Sequence, residues 1–140
     1  MVSTKGRYAL RLMIDLARQE PGTPIPLEQI AQRQEISKKY LEQIALQLSQ
    51  SNMLRAVRGH QGGYRLIREP SEYTALEILR IAEGSLAPVA CMDQEPNLCN
   101  RCAKCLTLPL WMGLDHLIQD YLGNITLQDL LDGKVPASES

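Results

Sequence analysis

The chain has no cysteine before residue 91 and none after residue 105; all four fall in the stretch CMDQEPNLCNRCAKC. No apolar run approaches the roughly 18 residues that a helix needs to cross a bilayer, which argues against a transmembrane segment. The opening MVSTKGRYAL lacks both the apolar h-region and the small-residue cleavage site of a secretory signal. A cytoplasmic protein without a membrane partner is therefore expected. In a reducing compartment, clustered cysteines serve as metal ligands or reactive thiols more often than as disulfides. Catalytic signatures are absent as well. There are no conspicuous paired carboxylates, no cysteine with a histidine placed as its base, and no nucleotide-binding loop. The expectation is that this is not an enzyme.

What is present is ordinary globular composition, with 44% apolar and 22% charged residues in 140, enough for one domain or a small domain with an appendage. The net charge of -1 conceals an uneven split. Residues 1–68 hold 11 Lys and Arg against 5 Asp and Glu, and residues 69–140 hold 4 against 11, so the halves carry +6 and -7. Such a split suits a protein whose first half meets a polyanion, although solvated helix faces that merely differ in charge would also produce it.

The N-terminal TKGRYALRLMIDLARQ places Tyr8, Leu12, Met13 and Leu16 at helical spacing, with Lys5, Arg7 and Arg11 near its start. After the turn-rich EPGTPIP, Leu27, Ile30 and Ala31 mark a second helix to Arg33, and Ser37 can cap a third through Tyr40, Leu41, Ile44 and Leu48. Two helices so closely spaced outline a helix-turn-helix, whose second helix would present Lys38, Lys39, Glu42 and Gln43 to base edges. Alone, such a pair is equally a piece of a structural bundle. Glu35 occupies the turn where glycine would be easier, and strain or reshaping is expected there. The following MLRAVRGHQGGYRLIREP reads as strands Leu54–Arg58 and Tyr64–Ile67 around GHQGG, a hairpin lined by Arg55, Arg58, Arg65 and Arg68. Guanidinium groups in such a wing suit phosphates or a narrow minor groove. The glycine-rich turn is otherwise a plain hairpin, without the lysine and helix of a P-loop.

Residues 71–84 read as a connector helix with a Thr74/Glu77 capping box, a Tyr73/Ile78 staple and a stop at Gly84. Thr107 can cap a further helix whose stripe of Leu110, Trp111, Leu114, Leu117, Ile118, Tyr121 and Leu122 is too broad for a lone edge helix. Dimerisation through it is the economical inference, with packing on its own domain as the alternative. The segment ITLQDLLDG gives a short helix capped by Thr126 and closed near Gly133. The expected fold is mainly α: a winged helix-turn-helix with a two-stranded wing and a long C-terminal dimerisation helix. Its parts are a DNA-binding domain (1–84), a cysteine-rich loop (85–106), the dimerisation and closing helices (107–133) and a disordered tail (134–140).

In TKGRYAL, SKKYLEQI, VRGHQGGY and NITLQDL, and in element order over about residues 2–133, the chain resembles the IscR, NsrR and CymR family of bacterial winged helix-turn-helix regulators. The resemblance implies a homodimeric transcription factor on double-stranded promoter DNA, with the C-terminal helices crossing at the interface. It implies that Glu42 and Gln43 read bases in the major groove and that Arg58 serves in the wing; Lys38, Lys39 and Tyr40 on the same helix, and His60, Gln61 and Arg65 in the wing, are the further candidate DNA contacts. IscR-like members hold an iron-sulfur cluster before the long helix and regulate cluster assembly; NsrR-like members sense nitric oxide; CymR-like members control cysteine metabolism without a cluster.

Against the IscR pattern, Cys99 and Cys105 keep the spacing of five intervening residues, Cys91 lies two residues further upstream, and Leu108 stands at the histidine position. Leucine has no donor atom, so Cys102 is the obvious candidate to join Cys91, Cys99 and Cys105; the alternative is a spare Cys102 with a carboxylate such as Asp93 or Glu95, a solvent molecule or an exogenous thiol as the fourth ligand. His60 falls in the wing and His116 on a polar helix face, away from a ligand role. C-x2-C-x2-C opens the ferredoxin run, with Pro109 at its fourth position, and points towards 4Fe-4S. The resemblance favours 2Fe-2S. A structural zinc generally uses two separated knuckles, and disulfide or reactive-thiol roles also stay open. A small iron-sulfur carrier or scaffold is the rival of another class; it gives no role to the basic half, the helix-turn-helix or the wing.

Overall fold

The computed structural model describes residues 1–88 and 106–135. Cys91, Cys99, Cys102 and Cys105, most of the expected cysteine-rich loop and residues 136–140 of the expected tail lie outside them. The described elements are α1 (Thr4–Ala17), α2 (Leu27–Gln34), α3 (Lys38–Gln50), β1 (Leu54–Val57), β2 (Gly63–Leu66), a 3-10 turn (Pro70–Glu72), α4 (Ala75–Glu83), α5 (Leu108–Gly123) and α6 (Leu127–Asp132). The mainly helical winged architecture is as expected.

Helix α1 begins where the Ser3 hydroxyl accepts the Lys5 amide at 3.2 Å, and it buries Ala9, Leu12, Met13 and Leu16. Those side chains meet Ile30 of α2, Leu41, Ile44 and Leu48 of α3, and Ile78 of α4 in one core, where each large apolar side chain contributes about 1.5–3 kcal/mol. Of the strain or reshaping expected at the turn between α2 and α3, the structure shows strain: Glu35 takes φ 55° and ψ 45°, the left-handed region that glycine adopts more easily. That geometry closes α2 by letting the Ile36 amide donate to the Ala31 carbonyl at 3.1 Å while the Ile36 side chain is buried. Ser37 then caps α3 by accepting from the Tyr40 amide.

The wing pairs β1 and β2 antiparallel, with Leu54 opposite Leu66, Arg55 opposite Arg65 and Val57 opposite Gly63. Ile25 adds a bridge on the far side of Tyr64, through amide-to-carbonyl bonds of 2.9 and 3.0 Å. Gly63 is required there because a Cβ would run into the Ile25 backbone. The Thr74 and Glu77 capping box starts α4, and a matching box of Thr126 and Asp129 starts α6. A bridge between Thr74 and Thr126 threads α6 back onto the N-terminal core, where Leu127 is fully buried. Helix α5 is different. It is strongly apolar yet contains no buried residue, and Thr107 at its N-cap makes no side-chain capping bond.

Candidate nucleic-acid interface

Helix α3 is polarised by its own spacing. Leu41, Ile44, Ala45 and Leu48 are fully buried on one side, which leaves Lys38, Lys39, Glu42 and Gln43 exposed on the other. The Lys38 ammonium lies 2.7 Å from the Glu28 carboxylate of α2 and 4.0 Å from that of Glu42. Its hydrogen bond to Glu28 raises the Lys38 pKa above the usual range and lowers that of Glu28. Both groups are exposed, so the pair is weak enough for a phosphate to take over the lysine. Tyr40 is half-buried, its ring edge-on to Tyr8 at 5.6 Å, and the Arg11 guanidinium lies 5.4 Å from the Tyr8 ring centre.

In the wing, Arg55, Arg58, His60 and Gln61 are exposed, and Arg65 is half-buried with its guanidinium donating to the Leu66 carbonyl at 3.3 Å. Arg68 departs from the sequence expectation. Its guanidinium turns inward, 4.6 Å above the Tyr73 ring, donating to the Glu72 carbonyl at 3.1 Å and to Glu77 at 3.4 Å. The Tyr73 phenol donates to the Met53 carbonyl at 2.8 Å and accepts from the Ile67 and Arg68 amides at 3.0 and 3.1 Å. One buried tyrosine thus pins the base of the wing to the core.

Two positioning carboxylates escaped the sequence reading. Asp15 is only 3% exposed, yet it accepts from Arg33 at 3.0 and 2.6 Å and from Gln34 at 3.0 Å, locking the end of α2 onto α1. Burial pushes its pKa up, but the bonds from Arg33 and Gln34 outweigh this and hold it below the usual carboxylate range. An aspartate between Ile14 and Leu16, on the apolar side of α1, was the available signal. Glu83, the last residue of α4, accepts the Ser3 amide and hydroxyl at 2.7 Å each and the Gly6 amide at 2.9 Å. It clamps the N-terminus of α1. Here too burial raises the pKa and the donors of Ser3 and Gly6 lower it further than burial raises it. Gly6 leaves the room: a Cβ there would strike this carboxylate.

The other expected positions divide. Leu110, Leu117 and Tyr121 on α5 are 62%, 67% and 49% exposed, with Trp111, Leu114 and Ile118 half-buried. His116 is exposed, and Leu108 opens α5 without a donor atom. Among the described residues, no group of three His, Cys, Asp or Glu is placed to hold a metal ion, and no helix is long and apolar enough to cross a membrane.

Residues 2–133 match Rrf2, a family of iron-dependent transcriptional regulators. The chain belongs to the Rrf2 family. This Rrf2 chain is 38% identical over 130 residues to the CymR transcriptional regulator of Bacillus subtilis, covering 92% of this chain and 88% of that one. It is 36% identical over 133 residues to the IscR regulator of Pectobacterium atrosepticum, covering 95% and 80%. In three dimensions it superposes on CymR, the global cysteine regulator of B. subtilis, with a TM-score of 0.75 at 36% identity, covering 95% and 97%. On T. potens IscR the TM-score is 0.76 at 34% identity, covering 100% and 93%. The Rrf2 chain is accordingly a DNA-binding transcription regulator and not an enzyme.

Proposed function

We propose that this chain is a cytoplasmic, homodimeric regulator that reads a palindromic promoter site and senses iron-sulfur or redox status through its cysteine segment. The observation that carries the DNA half is the outward face of α3, where Lys39, Glu42 and Gln43 are exposed opposite a fully buried apolar face. Lys38 and Lys39 engage phosphates, Glu42 and Gln43 read base edges beside Tyr40, and Arg58, His60, Gln61 and Arg65 extend the contact from the wing. Dimerisation follows from α5, whose exposed Leu110, Leu117 and Tyr121, flanked by Trp111, Leu114 and Ile118, call for a second copy.

The donor set suits an iron-sulfur cluster. Leu108 has no donor atom at the histidine position, so Cys91, Cys99, Cys102 and Cys105 would hold it as thiolates, with a carboxylate such as Asp93 or Glu95, a solvent molecule or an exogenous thiol as the alternative fourth ligand. When bound, the cluster supplies a centre sensitive to oxidants and iron supply. The chain's own part is to join the cysteine segment to Glu83, which holds α1, on one side and to α5 on the other. The spacing leaves 2Fe-2S, which the IscR likeness favours, beside 4Fe-4S. On this reading the parts are the DNA-binding domain (1–84), the cluster loop (85–106), the dimerisation and closing helices (107–133) and a short tail.

The likeness to CymR favours a second reading, a regulator of cysteine or sulfur metabolism without a cluster, its thiols free or on zinc. Purification without oxygen, followed by a visible spectrum and iron and sulfide assays, separates the two. A brown protein with stoichiometric iron and sulfide supports the cluster; a colourless protein retaining only zinc, or no metal, supports the second reading.

A further inference from the structure

Leu46 is 54% exposed on α3, one turn beyond Glu42 and Gln43 and two turns beyond Lys39, on the side opposite the buried Leu41 and Leu48. A single exposed leucine is unremarkable on most helices. This one shares its face with the polar side chains that give α3 its reading surface. It lies outside the buried core of the free protein, and one side chain is far too small to seat a protein partner, which needs hundreds of square ångströms. In the major groove, by contrast, base edges present one apolar group, the C5-methyl of thymine, and one apolar side chain is enough to cover it.

We propose that Leu46 is a specificity-determining residue that packs on a thymine methyl in the major groove, next to the base pairs addressed by Glu42 and Gln43. This rests on α3 being the helix that enters the groove. The surroundings suit it: Lys38 and Lys39 at the start of the same helix attract the phosphates and bring the leucine to the base edges. Because the contact is apolar, it adds base preference without adding to the salt dependence of binding.

The test uses full-length protein and a duplex enriched by it from a random-sequence library. Deoxyuridine replaces each thymidine in turn, removing the methyl while keeping the base pair intact. For wild type, uracil at one position in each half-site is expected to weaken binding roughly three- to fivefold, the scale of one buried methyl group. Leu46→Ala is expected to bind the thymine and uracil duplexes equally, with an unchanged salt slope and melting temperature, and Leu46→Met to retain part of the uracil penalty. The proposal is overturned if no uracil position weakens wild type, or if the same penalties persist in Leu46→Ala. Glu42→Ala in the same assay distinguishes the two levels. Altered base preference in Glu42→Ala with an intact uracil penalty in Leu46→Ala rejects Leu46 alone. Unaltered preference in both variants rejects α3 as the reading helix.

Discussion

Arg58 and Arg68 belong to one basic stretch of sequence, but only Arg58 is free to meet DNA, since Arg68 is held over Tyr73 and beside Glu77. Arg58→Ala is expected to cost about 1–3 kcal/mol of DNA affinity and to flatten the salt dependence by about one unit of slope. Arg68→Ala should instead lower the melting temperature and leave DNA affinity nearly unchanged; titration by fluorescence anisotropy beside thermal unfolding checks both. Asp15 sets a second expectation. Asp15→Asn weakens a buried bidentate pair whose other member, Arg33, is 41% exposed, so the loss should sit near the lower end of the buried range, about 3 kcal/mol. The Asp15 and Glu83 carboxylates have folded pKa values below their unfolded ones. Their stabilisation is therefore complete above the unfolded carboxylate range near pH 4 and is lost as pH falls through the lower folded values. Urea unfolding between pH 7 and pH 3 should show wild type losing stability on acidification more steeply than Asp15→Asn.

Among the described elements, α5 stands apart, because the other described α-helices bury side chains in the chain's own core and α5 contains no fully buried residue. A charge on its exposed face should therefore spare the fold and break the proposed dimer. Leu117→Glu is expected to give a folded monomer by light scattering, with wild-type helical content by circular dichroism and weak binding to a palindrome. A variant that stays dimeric at micromolar concentration would place the dimer contact elsewhere. Helix α3 offers a smaller effect. Ser37→Ala removes the acceptor of the Tyr40 amide and should cost about 1 kcal/mol of stability, with some loss of DNA affinity from fraying at Lys38 and Lys39.

For the whole molecule, the proposed sensing role requires a connection from the cysteine segment to α3. On its N-terminal side, Glu83 grips Ser3 and Gly6 of α1, and Asp15 of α1 grips Arg33 and Gln34 just before the turn into α3. A shift of α4 therefore has a polar route to the start of α3, the helix proposed to read DNA. Alanine variants of Cys91, Cys99, Cys102 and Cys105, prepared without oxygen, are each expected to lose most of the visible absorption and iron. Full iron and an unchanged spectrum in Cys102→Ala would reject four-cysteine ligation, and unchanged spectra in all four would reject the cluster.

The sequence alone determined what is local. Ser37, Thr74 and Thr126 cap the helices assigned to them, although Thr107 makes no side-chain cap on α5; Gly84 and Gly133 end theirs at φ 82° and 67°, and Glu35 holds the left-handed conformation that glycine would adopt more easily. Cap bonds and apolar periodicity act within a few residues, so the order of helices and wing, and the exposed Lys39, Glu42 and Gln43, were legible as pattern. Tertiary structure decided every contact between residues distant in the chain. Glu83 and Ser3 are 80 residues apart, Arg33 is 18 from Asp15, and Met53 is 20 from Tyr73. No pattern marks such partners, because a buried carboxylate or phenol takes whichever donors and acceptors the packed core brings to it. The same packing turned Arg68 inward, drew α6 onto the core and left Leu110, Leu117 and Tyr121 of α5 exposed, since only the folded chain fixes which apolar faces are already occupied.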